Sequence, residues 1–442
     1  MITFVKGDHT SRWDGRRAVE FVDDRDTQPF CYTVCSHHRM ASHNEPAATA
    51  LLTPAARESL DRSGYGDWRA IASADAVSLA FGFPYPASFP IERLERSIAS
   101  VLETEGTAAL QYGGGENAKR LETIVLEREV ARGIDEEAVA VSVTNGATHA
   151  IDGICRAFLE PGDTVVVEEP TFMGAIAVFE NFGVDVVGAP VDEDGLDVDT
   201  LADRLTERRD RGDDDPTLVY TIPNFQNPTG ATLSLRRRKR LLELAEMFDF
   251  VVLEDDAYGD LRYEGTSITP LAGLDDAGRV IRVGSFSKTI APGVRLGWLT
   301  AAERIRNAVA SLTAGGTNTF TRSVVGHYCD VGHLNDSLPE LRRTYANRRD
   351  RMLDALASSM PAGVTWTEPA GGFFVWVTLP PSVDTDDLLQ PAIDAGVTYL
   401  PGSMFYSGDG GTNRLRLSYS YESPDDIDEG VRSLAETIAS HG

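Results

Sequence analysis

Lysine is scarce in this 442-residue chain, and one of its four copies stands where an amine can do chemistry. Lys288 lies within Ser285-Phe286-Ser287-Lys288-Thr289, just beyond the apolar run Val280–Val283. Pro292-Gly293-Val294-Arg295-Leu296-Gly297-Trp298 follows, so a guanidinium sits seven residues on. A lysine partly stripped of water and close to a cation has a lowered pKa and can form a Schiff base with a carbonyl. Ser285, Ser287 and Arg295 are suited to hold a phosphate dianion. An isolated lysine normally serves surface solubility. In a chain that avoids lysine, that explanation loses its weight.

Three further landmarks carry functional residue types. Leu253-Glu254-Asp255-Asp256-Ala257-Tyr258 closes the apolar run Phe250–Leu253. Carboxylates at the end of a buried strand are costly unless paired. A protonated ring nitrogen would pair Asp255, and Tyr258 could reach a phenolic oxygen on the same ring; an acidic metal site is the competing reading. Pro223-Asn224-Phe225-Gln226-Asn227-Pro228-Thr229-Gly230 ends the run Leu218–Ile222. Asn227, before a proline, is biased to an extended or turn conformation that frees its amide to enter a cleft. Thr144-Asn145-Gly146-Ala147-Thr148 opens a helix, where backbone amides can bind phosphate; taken alone, it reads sooner as an ordinary strand-to-helix turn.

These landmarks need a scaffold that brings strand ends together. From about residue 137 strand-like runs alternate with helical segments: Ala138–Val143, Thr164–Val167, Val184–Val187, Leu218–Ile222, Phe250–Leu253 and Val280–Val283. Strands spaced by helices predict an α/β domain with a mainly parallel sheet, whose ligands sit at the carboxyl ends of the strands. After about residue 330 the pattern (Phe373–Val377, Val397–Leu400, Leu415–Ser418) predicts a smaller α+β domain.

The composition is that of a globular protein, 42% hydrophobic and 25% charged. No apolar run is long enough to span a bilayer, and no secretory signal opens the chain; a cytoplasmic protein is expected. The net charge of −27 argues against nucleic-acid binding, which needs a basic face. Acidic surfaces poor in lysine suit concentrated salt, so a halophilic protein is expected. Residues 1–39 differ: six basic and six acidic side chains cancel, and two of the four cysteines fall there. The stretch reads as a start-site overextension or a disordered leader. Cys31, Cys35, His37 and His38 crowd together within it, but no second cluster follows at zinc-finger spacing, so no metal site is expected.

Taken in order, Asn227, Asp255, Tyr258, Lys288 and Arg295 resemble the signature of fold type I pyridoxal-phosphate-dependent aminotransferases, class I/II. The similarity is closest to the 2-aminoadipate/kynurenine group with its aromatic and branched-chain relatives, and it runs from about residue 40 to the C-terminus. The resemblance implies pyridoxal 5′-phosphate as cofactor and Lys288 as both Schiff-base lysine and proton carrier. It implies that Asp255 pairs with the pyridine nitrogen and that Asn227 and Tyr258 bond the ring's 3′-oxygen. Ala147, Thr148, Ser285, Ser287 and Arg295 would hold the phosphate. Phe172 would stack on the ring, and Tyr112 would reach the phosphate of a neighbouring subunit in a homodimer. Arg416 would bind the substrate α-carboxylate, and Gly82 would lie where an N-terminal arm crosses the pocket. The implied layout is an arm over residues 40–80, a large cofactor domain over 81–330 and a small domain over 331–442.

The chain departs from the family pattern at Ala147 and Thr148, where Ser-Gln is usual, so that contact would rest on backbone amides and one hydroxyl. Arg57, Arg62 and Arg69 are alternative readers of an acidic substrate side chain. The expected reaction is ping-pong transamination from an aminoadipate-type, aromatic or branched-chain amino acid to a 2-oxo acid such as 2-oxoglutarate. Two other classes compete. A C–S lyase would use nearly the same residues. A transcription regulator of this fold needs a basic DNA-binding domain, for which residues 1–39 are too short and electroneutral.

Overall fold

The computed structural model describes residues 47–53, 56, 57, 59, 71, 76–313 and 315–441. The 1–39 segment with Cys31, Cys35, His37 and His38, and the candidates Arg62 and Arg69, lie outside them. Ala48–Gly442 forms one compact unit. Among the described residues no cluster of metal-ligating side chains assembles, and no helix is long and apolar enough to cross a membrane.

The strands, in chain order, begin with β1 (Val77–Ser78), β2 (Ala140–Thr144), β3 (Thr164–Glu169) and β4 (Asp185–Asp192). β5 (Gly195–Leu196), β6 (Leu218–Thr221), β7 (Val251–Asp256), β8 (Val280–Ser285) and β9 (Gly297–Ala301) follow. β2 to β9 build one eight-stranded sheet, in spatial order β2-β9-β8-β7-β6-β3-β4-β5. Its centre is parallel from β8 through β4. β9 is inserted antiparallel between β8 and β2. The central strands are β-branched and buried on both faces, as Val165, Val166 and Val167 illustrate, because helices cover each side of the sheet.

Those helices carry readable start and stop signals. Val198–Arg211 is capped by Asp197, whose carboxylate accepts from the amides of Asp199 and Thr200. It ends in three arginines and a left-handed Gly212, matching the helix dipole and the αL stop. Ala147–Phe158 buries Ala150, Ile151, Ile154 and Cys155, one face at helical spacing, against the sheet.

The C-terminal part builds a second, antiparallel sheet. It contains β10 (Thr365–Trp366), β11 (Phe374–Thr378), β13 (Leu400–Pro401) and β14 (Arg414–Ser418), ordered β10-β11-β14-β13. β12 (Val397–Thr398) pairs instead with β1, in parallel. Leu79 and Ala80, from the segment after β1, belong to the core of this second sheet.

Several strands differ from the sequence expectation: β3, β4 and β8 run past their expected ends, β9 was not foreseen, and two further differences have a clear cause. Val397–Leu400 is split at Tyr399, because β12 and β13 serve different sheets. β7 does not stop at Leu253; it runs on through Glu254, Asp255 and Asp256. The physical reason is Arg282 of β8, whose register partner is Glu254. Its guanidinium lies 3.0 Å from Glu254, 2.8 Å from Glu129 and 2.5 Å from Asp256. A buried cation shared by the three buried carboxylates lowers the cost of carrying charge into the strand.

Candidate active site

The chemistry-bearing residues gather along one edge of the large sheet, at the carboxyl ends of β2, β3, β6, β7 and β8. Each loop brings a different group. The segment after β8 carries Lys288, which is half-buried; its Nζ donates to the Gly82 carbonyl at 2.9 Å. The same amine lies 5.9 Å from the ring centre of Tyr258 and 5.6 Å from that of Phe373. Loss of hydration, aided by Arg416 and then Arg295, pushes the Lys288 amine down to about 8. The sequence pointed to Arg295 as the lowering cation; Arg416, from the other sheet, acts more strongly.

Asp255, buried at the end of β7, offers two unequal oxygens. Oδ2 accepts the Tyr220 hydroxyl at 2.9 Å, while Oδ1 is buried with no partner. Burial pushes this carboxyl up to about 6, against the hydrogen bond from Tyr220. Tyr258 is buried against the ring edges of Phe373 and Phe374, and that burial raises its phenol.

Asn227 is presented by a loop that Gln226 pins from within. The Gln226 amide nitrogen donates to Glu168 at 3.0 Å and to the Pro170 carbonyl at 2.7 Å. Its oxygen accepts the Thr229 amide at 2.9 Å and the Thr229 hydroxyl at 2.7 Å. Asn227 Oδ1 accepts from Arg416 at 2.8 Å. Arg416, on β14, donates also to the Ala80 carbonyl at 2.6 Å, and its Nε is buried without a partner. Its guanidinium lies over Phe374 and Phe405, and burial pulls it down to about 9. A cation so poorly solvated is primed for a bidentate carboxylate.

At the far end of the cleft, Gly146 (φ +94°) precedes the helix Ala147–Phe158, and no side chain caps that helix. Arg295 sits against this turn: a Cβ on Gly146 would stand 2.9 Å from its guanidinium. Ser285 Oγ accepts the Ser287 amide at 3.1 Å, which holds the two hydroxyl residues in one turn. Uncapped helix amides beside a guanidinium suit a phosphate, and Ala147 and Thr148 supply the first of those amides. Phe172 is half-buried after β3, its ring over Gly174, where a Cβ would approach it to 2.4 Å. Tyr112 stands apart, 98% exposed. Gly82 has no room for a side chain, since a Cβ would meet the Phe374 ring at 2.5 Å.

The residues present fit pyridoxal phosphate. One buried, unpaired carboxylate oxygen suits a ring N–H, a depressed amine suits the aldehyde, and uncapped amides beside Arg295 suit the phosphate. Tyr220, Glu168 and Gln226 are parts of the site that sequence reasoning missed. Glu168 did carry a signal, since it ends an apolar strand just as Asp255 does. Tyr220, inside the run Leu218–Ile222, carried none.

Comparison with known proteins agrees with this geometry. The model of the aminotransferase class I and II family matches residues 89–434. Aromatic-amino-acid aminotransferase 1 of Thermococcus litoralis is 41% identical over 373 residues, covering 83% of this chain and 89% of that protein. The kynurenine aminotransferase of Pyrococcus horikoshii superposes with a TM-score of 0.84 at 39% identity, over 89% of this chain and 98% of that one. The alpha-aminoadipate aminotransferase of Thermus thermophilus, solved with N-(5′-phosphopyridoxyl)-L-leucine, gives 0.79 at 32% identity, over 89% and 99%.

Proposed function

Because the chain belongs to the class I and II aminotransferase family and is a pyridoxal-phosphate-dependent aminotransferase, we propose that it takes amino groups from aromatic, branched-chain or aminoadipate-type donors and passes them to 2-oxoglutarate. The observation that carries this reading is the convergence of three groups: the Lys288 amine on the Gly82 carbonyl, the buried Arg416 on the Ala80 carbonyl two residues earlier and close enough to depress that amine, and Asp255 with its unpartnered oxygen. Phe81 and Phe83, which flank Gly82, stack at 5.2 Å, and Tyr421 meets Phe83 edge-on. That aromatic wall favours a large apolar substrate side chain.

Bound pyridoxal phosphate supplies an electron-withdrawing ring that lets the donor's α-C–H bond break. The chain's residues do the rest. Arg416 exchanges its contacts with Asn227 and Ala80 for the substrate carboxylate and so orients the α-carbon. Lys288, its amine brought down to about 8 by burial and the nearby arginines, takes the α-proton and gives it back. Asp255 Oδ1 holds a proton on the ring nitrogen, while Asn227 and Tyr258 bond the 3′-oxygen. Ala147, Thr148, Ser285, Ser287 and Arg295 hold the phosphate, and Phe172 packs on the ring. The donor leaves as a 2-oxo acid before the acceptor enters, which lets one clamp serve both.

We place the arm at residues 40–80, the cofactor domain at 81–330 and the small domain at 331–442. The pairing of β1 with β12 supports grouping the arm with the small domain. A homodimer is supported by an exposed apolar stripe: Ile91, Ile98 and Leu102 on one helix, then Leu110 and Tyr112. Light scattering is expected to give twice the chain mass; a monomer would remove the role given to Tyr112.

A spectroscopic screen tests the donor class. Each good donor should discharge the yellow holoenzyme in a single half-reaction, aromatic and branched-chain acids fastest. Release of pyruvate and ammonia without any acceptor would point to a lyase instead.

A further inference from the structure

Asp255 is held by a neighbour that the reaction scheme above does not use. Tyr220 lies on β6 in register with Leu253, two residues before Asp255 on β7. Phenol and carboxylate therefore project from the same face of the sheet. The Tyr220 ring is fully buried and packs edge-on against Phe179 at 5.5 Å, which fixes its direction. Its hydroxyl, 2.9 Å from Oδ2, can only donate there, because a carboxylate without a proton only accepts.

The surroundings make that bond consequential. Glu168, buried on the adjoining β3, accepts the Thr221 hydroxyl at 2.5 Å, the Ile222 amide at 3.1 Å and the Gln226 amide. Asp256 follows Asp255 directly in the same strand. Asp255 raises the hold of Glu168 on a proton, and Asp256 in turn raises that of Asp255. Arg282 opposes them, but it is already shared among Glu129, Glu254 and Asp256. Among the described residues, Tyr220 is thus the one neutral donor that stabilises Asp255 as an anion. Burial and the nearby carboxylates keep the phenol protonated, so it stays a donor.

We propose that Tyr220 is a positioning residue for the cofactor ring: by capping Oδ2 it aims the unpaired Oδ1 at the ring nitrogen and keeps Asp255 ionised, so that the proton stays on the ring. The proposal rests on the assignment of Asp255 to that nitrogen. Without the cap, the negative neighbours favour moving the proton from ring to carboxylate, and the ring loses its positive charge. A neutral ring no longer repels a second proton on the conjugated system. The pH at which the bound cofactor changes colour should then rise.

The test is Tyr220→Phe, which keeps the ring and removes the hydroxyl, read in the holoenzyme by pH titration of colour and by steady-state kinetics. A hydrogen bond to a charged group is expected to move the colour midpoint upward by roughly one pH unit and to lower kcat about 10–100-fold, with the donor KM little changed. A more acidic fluorotyrosine incorporated at position 220 strengthens the bond and should move the midpoint down; it decides the matter alone if Tyr220→Phe does not fold. A folded Tyr220→Phe protein with the parent midpoint and kcat overturns the proposal, as does a fluorotyrosine protein whose midpoint is unmoved. Asp255→Ala separates the two layers. If it shifts the colour while the position-220 variants do not, only the role of Tyr220 fails; if it too leaves the titration unmoved, the assignment of Asp255 fails.

Discussion

Lys288→Ala is expected to abolish turnover and leave the purified protein colourless. The proton transfer given to this amine is alone worth about 10²–10⁴-fold in rate. The loss of the covalent attachment between lysine and cofactor adds to that. The fold should not suffer, because the side chain makes one hydrogen bond, to the Gly82 carbonyl, and is only half-buried. Thermal melting of the cofactor-free variant and parent should therefore agree, while stopped-flow assays and the visible spectrum separate them. Lys288→Arg should be equally inactive, since a guanidinium neither condenses with an aldehyde nor gives up a proton near neutral pH. A yellow, active Lys288→Ala protein would end the assignment.

Arg282→Met should destabilise the fold far more than either substitution of Lys288 or Tyr220. The arginine is 1% exposed and holds Glu129, Glu254 and Asp256, each buried in turn. Removing it takes the shared cation from three buried carboxylates, leaving Glu129 with Arg132 at 3.3 Å and Asp256 with the Asn224 amide at 3.0 Å. Breaking a buried pair in this way costs about 3–5 kcal/mol, and three acids share this partner. Some of the loss is recovered where Glu254 accepts the amides of Leu271 and Ala272, and where Glu129 accepts the Trp298 indole at 3.0 Å. Denaturant unfolding of the cofactor-free protein should show the midpoint fall steeply. Arg282→Lys, with one charge but no fork, should lie between. A parent-like midpoint for Arg282→Met would mean that their remaining partners hold the three acids without the arginine.

The two variants probe different parts of what the sequence makes legible. Lys288, Asp255 and Asn227 could be found because each follows an apolar run, and the carboxyl ends of parallel strands converge on one edge. The continuation of β7 through Glu254 to Asp256 could not be foreseen. Its justification is Arg282, on the neighbouring strand, and only the register Glu254↔Arg282 brings the two together. Tyr220 was hidden for the same reason: in the sequence it is one more apolar residue in a core strand, and its bond to Asp255 depends on how β6 lies beside β7. Arg416 was legible as a residue but not as a perturber of Lys288, since the two belong to different sheets. Local pattern gives elements and their ends, whereas pairings across strands need the assembled sheet.

The place of β9 has a bearing on how the molecule comes into being. Among the described residues, the edge strand β2 pairs with β9 alone, more than 150 residues later in the chain. Gly297 of β9 stands against the Gly146–Ala147 turn, so close that a Cβ would fall 2.8 Å from the Ala147 amide. During synthesis, the turn to which we assign the cofactor's phosphate must wait, unbraced, until more than two-thirds of the polypeptide has left the ribosome. Capture of the cofactor is thereby tied to the later part of translation, and a prematurely ended product stopping before β9 would be unable to hold it.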